Sequence, residues 1–292
     1  MCDESTEKDI DEFLLNGGEL NRRDFGKLSV AAGFAALLPS IANAVEVSES
    51  DVQIETPDGI ADAYFVHPSQ GKHAAIVVWP DILGLRPAFR AMGKRLAESG
   101  YAVLVVNPFY RSAKAPVIEP GASFRDPATR EIVIPMRRLL TADTNFTDAK
   151  AFINYMDSRD EVDSDRLIGT SGYCMGGPIV MRTAAAVPER VGAAASFHGG
   201  GLATDAQDSP HLLIGNTKAH VLHAIAENDD AKKPTVKETL RESYADANIP
   251  AEIEVYEGAL HGWCPPDSAV YNEVQAERAW SRLLALYDRA LA

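Results

Sequence analysis

The sequence has few cysteines, fewer basic than acidic residues, and no apolar run long enough to cross a membrane. Three cysteines in 292 residues are too few for a disulfide framework, and no Cys/His spacing typical of a metal site occurs. We therefore expect no metal and no cofactor. The 42 acidic and 28 basic residues give a net charge of −14. A nucleic-acid partner is not expected, because phosphate binding needs a basic face.

The first 44 residues have the features of an export signal. They contain, in the expected order, an arginine pair, a modest apolar run and an Ala-x-Ala end, at Arg22-Arg23, Leu28 to Leu38, and Ala42-Asn43-Ala44. The apolar run is too short for an ordinary transmembrane helix. The alternative interpretation of this segment is an amphipathic N-terminal helix.

We predict a twin-arginine signal peptide at 1–44 and a single domain at 45–292. The precursor would then have the twin-arginine export machinery as a partner. The mature chain, with no stable membrane span, would work in the periplasm or outside the cell.

After residue 50, short apolar runs alternate with amphipathic stretches. A hairpin around Pro57-Asp58-Gly59 comes first, and buried strands and helices then follow in turn. This alternation predicts an α/β fold with a doubly wound, mostly parallel sheet and helices on both faces. Residues 112–141 are less regular and rich in proline and arginine. We predict that they run over the active-site end of the sheet, with room for one short helix.

The sequence Gly172-Tyr173-Cys174-Met175-Gly176-Gly177 lies where a predicted buried strand meets a predicted helix. It has the Gly-x-Cys-x-Gly form of a nucleophile elbow, with Cys in place of Ser. Such a turn holds the nucleophile in a strained backbone conformation, and its neighbours must be small. By itself the pattern also fits a buried cysteine in a glycine-rich corner.

Polar residues follow several predicted strands in the order that a catalytic triad requires. Cys174 is followed by Asp229 or Asp230 after a later strand, and by His261 after the last one. The carboxyl ends of parallel strands meet at one edge of the sheet, so these side chains are expected to converge. A thiol needs a nearby imidazole to ionise it, and a carboxylate orients that imidazole. Asp81, after an earlier strand, belongs to the same edge.

The elbow resembles that of the dienelactone hydrolase family of α/β-hydrolases. The resemblance extends to Pro80-Asp81-Ile82-Leu83-Gly84, Ala226-Glu227-Asn228-Asp229 and His261-Gly262-Trp263, and covers the chain from about residue 52 onward. It implies an α/β-hydrolase fold with Cys174 as nucleophile, His261 as base and Asp229 as acid.

The resemblance also implies further site residues. The backbone N–H groups of Ile82 and Met175 would form the oxyanion hole. Asp81 would stand where the family has a glutamate beside the nucleophile, one methylene shorter. Arg111 matches one of the family's substrate-carboxylate arginines, and Tyr110 and Trp263 are further candidates for substrate binding. No arginine follows His261 closely where the family has its second one.

The expected function is cleavage of an ester or lactone through a Cys-His-Asp triad, in the manner of a carboxymethylenebutenolidase. One alternative is a thioesterase or another acyl hydrolase that uses the same triad. A second alternative is a non-catalytic or redox protein with this fold, because Cys264 lies three residues after His261 and an exported chain meets an oxidising compartment.

Overall fold

The computed structural model describes residues 38–39 and 44–292. The predicted signal peptide lies outside the described residues, apart from Leu38, Pro39 and Ala44. The described chain contains eight strands, which are β1 (Val47–Thr56), β2 (Gly59–Pro68), β3 (Ala75–Trp79), β4 (Ala102–Val106), β5 (Ile168–Tyr173), β6 (Val191–Phe197), β7 (His220–Ala226) and β8 (Ala251–Tyr256).

Seven α-helices connect or follow these strands, and a 3₁₀-helix at Pro210–Asn216 precedes β7. The α-helices are α1 (Pro87–Glu98), α2 (Pro127–Arg137), α3 (Ala142–Asp157), α4 (Gly176–Ala186), α5 (Glu227–Lys232), α6 (Thr235–Asp246) and α7 (Glu273–Ala290). In the described part of the chain, no helix combines the length and apolarity that a membrane span requires.

All eight strands form one sheet in the order β1-β2-β4-β3-β5-β6-β7-β8. The β1–β2 and β2–β4 pairs are antiparallel, and every later pair is parallel. The hairpin thus forms one edge of an otherwise parallel sheet. The predicted fold class is confirmed.

The sheet is buried on both faces, which explains why its central strands are continuously apolar. In β4, Val103 and Val105 face the cluster that contains α1 and α7, whereas Leu104 and Val106 face the cluster that contains α3, α4 and α6. This alternation follows from the two-residue period of a strand.

The carboxyl ends of the parallel strands lie at one edge of the sheet, and the loops after them carry the polar residues named above. The 112–141 segment contains α2. Side chains of this segment reach the cluster around Cys174.

Candidate active site

Cys174 occupies a sharp turn between β5 and α4. Its φ is +53°, a left-handed conformation that a residue with a side chain adopts only when its surroundings enforce it. Its backbone N–H donates to the carbonyl of Phe197 at 3.0 Å, and its own carbonyl accepts from Gly177 at 3.1 Å. These two bonds hold the turn in place.

Two glycines make the turn sterically possible. A Cβ on Gly172 would lie 2.3 Å from the carbonyl oxygen of Gly176, and one on Gly176 would lie 2.3 Å from that of Trp79. No side chain fits at either position, because both distances are far below van der Waals contact. The strand and helix approach closely enough to place the Cys174 side chain at the end of the sheet.

His261 follows β8 and contacts Asp229, which lies in the first turn of α5. The imidazole Nδ1–H donates to Asp229 Oδ2 at 2.6 Å. The backbone N–H of His261 donates to Asn228 Oδ1 at 2.9 Å, and the Glu227 N–H donates to the carbonyl of Ala259 at 2.9 Å. The chain after β8 is therefore bound to α5 through both side-chain and backbone contacts.

The charge state of His261 follows from its neighbours. Burial alone would lower the pKa of His261. The charges of Cys174 and Asp229, with the hydrogen bonds to both, outweigh this effect and raise the pKa to about 10. The imidazolium is therefore the favoured form of His261 near neutral pH.

Asp230, the alternative triad acid, has a different partner. Its Oδ2 accepts a hydrogen bond from Lys237 Nζ at 2.6 Å. Of the two adjacent carboxylates, Asp229 is the one that contacts His261.

The loop after β3 brings Asp81 and Ile82 to the same place. Ile82 and Met175 pack in one apolar cluster with Cys174. The Leu83 N–H donates to Asp81 Oδ1 at 2.9 Å, so the Asp81 carboxylate shapes the loop that carries the Ile82 N–H.

The Asp81 carboxylate is bound by Arg86 through both oxygens, at 2.6 and 2.9 Å. The other side of the same guanidinium binds Asp267, also at 2.6 and 2.9 Å. Burial raises the pKa of Asp81, Arg86 opposes the rise, and the charges of Asp267 and Cys174 add to it. Sequence reasoning missed Arg86 and Asp267, because nothing in the local pattern links positions 181 residues apart.

The structure gives no support to the prediction that Arg111 and Tyr110 bind substrate. The Arg111 guanidinium binds Asp148 in α3 and Asp58 in the β1–β2 turn. The Tyr110 hydroxyl donates to Asp148 at 2.8 Å and contacts Thr56 Oγ1 at 2.9 Å. Both side chains belong to a partly buried network that joins the hairpin to α3.

Trp263 also has a structural position. It is fully buried, stacks on Tyr256 with 5.3 Å between ring centroids, and meets the edge of His198 at 5.1 Å. Its contacts in this structure are with neighbouring aromatic rings, and its predicted role in substrate binding stays a prediction.

His198, at the end of β6, packs directly against His261, with 5.1 Å between the ring centroids. Its backbone is left-handed, with φ at +40°, and burial holds the pKa of its ring well below the usual value. A neutral ring therefore supports the imidazole of His261.

Apolar residues that sequence reasoning did not select surround the nucleophile. Phe109, Ile118 and Val133 share a buried cluster with Cys174 and Met175. Phe109 lies three residues beyond β4, and the other two belong to the 112–141 segment. The position of Phe109 directly after a strand end was a usable signal.

One form of the predicted redox alternative is a disulfide between Cys174 and Cys264. Within residues 38–39 and 44–292, Cys174 and Cys264 are both buried free thiols. They belong to different apolar clusters, and burial raises the pKa of the Cys264 thiol well above its usual value. Among the residues that the structure describes, no group of three or more His, Cys, Asp or Glu side chains is arranged to hold a metal ion.

The family model for the dienelactone hydrolase family matches residues 61–291 of this chain. The chain belongs to the dienelactone hydrolase family. It is accordingly a hydrolase of ester or lactone bonds with an α/β-hydrolase fold.

The individual relatives have low sequence identity to this chain. A putative carboxymethylenebutenolidase of Salmonella typhi is 27% identical over 256 residues, which cover 79% of this chain and 88% of the relative. A carboxymethylenebutenolidase of Rhodococcus opacus is 26% identical over 246 residues, covering 82% and 90%. The solved structure of a putative dienelactone hydrolase from Klebsiella pneumoniae covers 84% of this chain and 99% of its own, with a TM-score of 0.72 and 23% identity. At that identity the structural match shows the fold alone.

Proposed function

We propose that this hydrolase cleaves its ester or lactone through a Cys174–His261–Asp229 triad. The observation that carries the proposal is the position of His261, whose ring is hydrogen-bonded to Asp229 and to a cysteine held in a left-handed turn. The names of the carboxymethylenebutenolidase relatives point to lactones as the first substrates to test.

In the acylation step, the Cys174 thiolate attacks the carbonyl carbon and forms a C–S bond, while the carbonyl electron pair moves to the oxygen. The backbone N–H groups of Ile82 and Met175 would stabilise that oxyanion, each by roughly 3–4 kcal/mol in comparable sites. The C–O bond then breaks, and the His261 imidazolium gives its proton to the leaving oxygen.

In the deacylation step, the neutral His261 removes a proton from water as the water oxygen attacks the acyl-enzyme. The C–S bond breaks, the acid leaves, and the thiolate–imidazolium pair is restored. Asp229 holds the imidazole in the tautomer that both steps need.

The test is hydrolysis of p-nitrophenyl acetate, a dienelactone and a simple thioester by the full-length chain. Cys174→Ala should reduce turnover of every accepted compound by at least about 10⁴-fold, and His261→Ala should reduce it by a similar amount. Cys264→Ala, which removes the other buried thiol, is the matched control and should keep activity. Retained turnover in Cys174→Ala would refute the assignment.

We also propose that residues 1–44 direct export of the folded chain by the twin-arginine machinery, and that the mature form works in the periplasm or beyond. The support is the sequence of that segment, with its arginine pair and Ala-x-Ala end. Cell fractionation should find a mature chain that begins at Val45. Lys substitution of Arg22 and Arg23 should leave the precursor in the cytoplasm, whereas Lys8→Gln should not.

A further inference from the structure

The 112–141 segment covers Cys174 with apolar side chains. Val133 of α2 and Ile118 lie in one cluster with Cys174, with 0% and 9% of their surfaces exposed. Val117, Phe124 and Met136 of the same segment pack against that cluster. Cys174 itself is only 4% exposed. The surroundings of the nucleophile on this side are therefore hydrocarbon.

The loop after β3 extends the same apolar surface. The space above Gly84 is filled by Phe109 and Val117, whose atoms lie 3.2 and 3.5 Å from the position of a Cβ there. Phe109 is fully buried in the cluster with Cys174. The 112–141 segment and the β3 loop thus meet through apolar contacts beside the nucleophile.

Two arginines that could bind a substrate carboxylate, Arg86 and Arg111, are engaged with groups of the protein. All five N–H groups of Arg86 have acceptors, namely two oxygens of Asp81, two of Asp267, and the carbonyl of Gly84. Arg111 binds two carboxylates, as described above.

Two of the four arginines in the 112–141 segment, Arg125 and Arg130, have contacts with groups of the protein. Arg130 donates to the carbonyls of Phe124 and Arg125, at 3.2 and 2.8 Å, and so fixes the turn before α2. Arg125 also has an interaction partner. To bind a substrate carboxylate, these groups would have to exchange existing contacts.

The charged groups next to the nucleophile also favour an uncharged substrate. Three carboxyl groups, those of Asp81, Asp267 and Asp229, already share two basic partners, Arg86 and His261. A further negative charge on the substrate would be repelled in a buried site of this balance.

We propose that the site takes an uncharged ester or lactone whose acyl part is apolar and lies against Phe109, Ile118 and Val133. This inference rests on the proposed function and specifies its substrate class. Each methylene group of the acyl chain that is buried against these side chains should raise kcat/KM by up to about fourfold.

The decisive comparison uses p-nitrophenyl acetate, butyrate and hexanoate together with p-nitrophenyl hemiadipate. The hemiadipate has the chain length of the hexanoate and ends in a carboxylate. We expect kcat/KM to rise at least about tenfold from acetate to hexanoate. We expect the hemiadipate to react at least about tenfold more slowly than the hexanoate.

Variants of the 112–141 segment test which side chains contact the acyl chain. Val133→Ala and Ile118→Ala should reduce the hexanoate-to-acetate ratio by about threefold or more. Ile132→Ala, the adjacent residue of α2 with 45% of its surface exposed, is the matched control and should leave the ratio unchanged. The ratio is measured within each variant, so it does not depend on the fraction of protein that folds. Val133→Arg should shift preference toward the hemiadipate.

The outcomes separate this inference from the function on which it rests. A hemiadipate rate equal to or above the hexanoate rate, with all turnover lost in Cys174→Ala, would overturn the substrate class and leave the triad intact. An unchanged ratio in both Val133→Ala and Ile118→Ala would also overturn it, because the apolar group would then bind elsewhere. Turnover that survives in Cys174→Ala would overturn the triad and, with it, this inference.

Discussion

Replacing Asp229 by asparagine should move the alkaline limb of the pH–rate profile to lower pH. The imidazolium form of His261 protonates the leaving group, so kcat/KM should persist below the pKa of His261 and fall as the pH rises through it. In the wild-type chain that pKa is raised to about 10. The asparagine side chain keeps the size of the aspartate and removes the charge.

The structure gives the size of the rise in the pKa of His261. The rise in the pKa of His261 from 6.5 to about 10 corresponds to about 5 kcal/mol in favour of the imidazolium. Burial opposes this rise, and the charges of Cys174 and Asp229 produce it, in that order of size. Asp229 contributes both a charge and a hydrogen bond to this rise, so its loss should lower the pKa of His261 well below about 10. Without the Asp229 carboxylate, the His261 imidazole can adopt the wrong tautomer. This should lower kcat by about 10³–10⁴-fold.

The assay is kcat/KM for ethyl butyrate, whose alkoxide leaving group needs a proton, from pH 6 to 11, with buffer blanks subtracted at each pH. Asp230→Asn is the matched control, because Asp230 pairs with Lys237 and not with His261. It should retain an alkaline limb near pH 10. An unchanged limb in Asp229→Asn, or an equal downward shift in both variants, would refute the assignment of the charge to Asp229.

Two substitutions test how the site is built, both by urea unfolding. Gly176→Ala should lower the free energy of unfolding by about 3 kcal/mol, because its Cβ would lie 2.3 Å from the carbonyl oxygen of Trp79. Gly215→Ala, whose Cβ meets nothing within 4 Å, should change it by less than about 1 kcal/mol, and an equal loss in both would contradict the steric argument. Arg86→Leu should lower the free energy of unfolding by about 3–5 kcal/mol, because two largely buried carboxylates lose their partner. Arg90→Leu, whose carboxylate partner is exposed, should lower it by less than about 1 kcal/mol, and a similar loss in both would show that burial of the pair is not what matters.

The fold could be predicted because the central strands are continuously apolar and the helices between them are amphipathic. A parallel sheet also fixes where strand ends meet, so the order Cys174, Asp229, His261 was enough to predict their convergence. The elbow could be predicted for a further reason, since only glycine fits at Gly172 and Gly176.

The direction of the side chains after β4 could not be predicted. Phe109 and Tyr110 are adjacent and lie in a turn, where neighbouring side chains have no regular alternation. Phe109 faces the cluster of Cys174, and Tyr110 faces Asp148 in α3. The sequence shows that both follow a strand end, but which one faces the nucleophile depends on the irregular turn between β4 and the 112–141 segment.

The partner of Arg111 could not be predicted from the sequence either. An arginine after a strand end is equally suited to a substrate carboxylate and to a carboxylate of the protein. Asp148, 37 residues later, settles the choice because it is buried and needs a cation. With Arg111 paired to Asp148, the side chains of the 112–141 segment that share the cluster of Cys174 are apolar. The pairing of Arg111 with Asp148 and the apolar surroundings of Cys174 both favour an uncharged substrate.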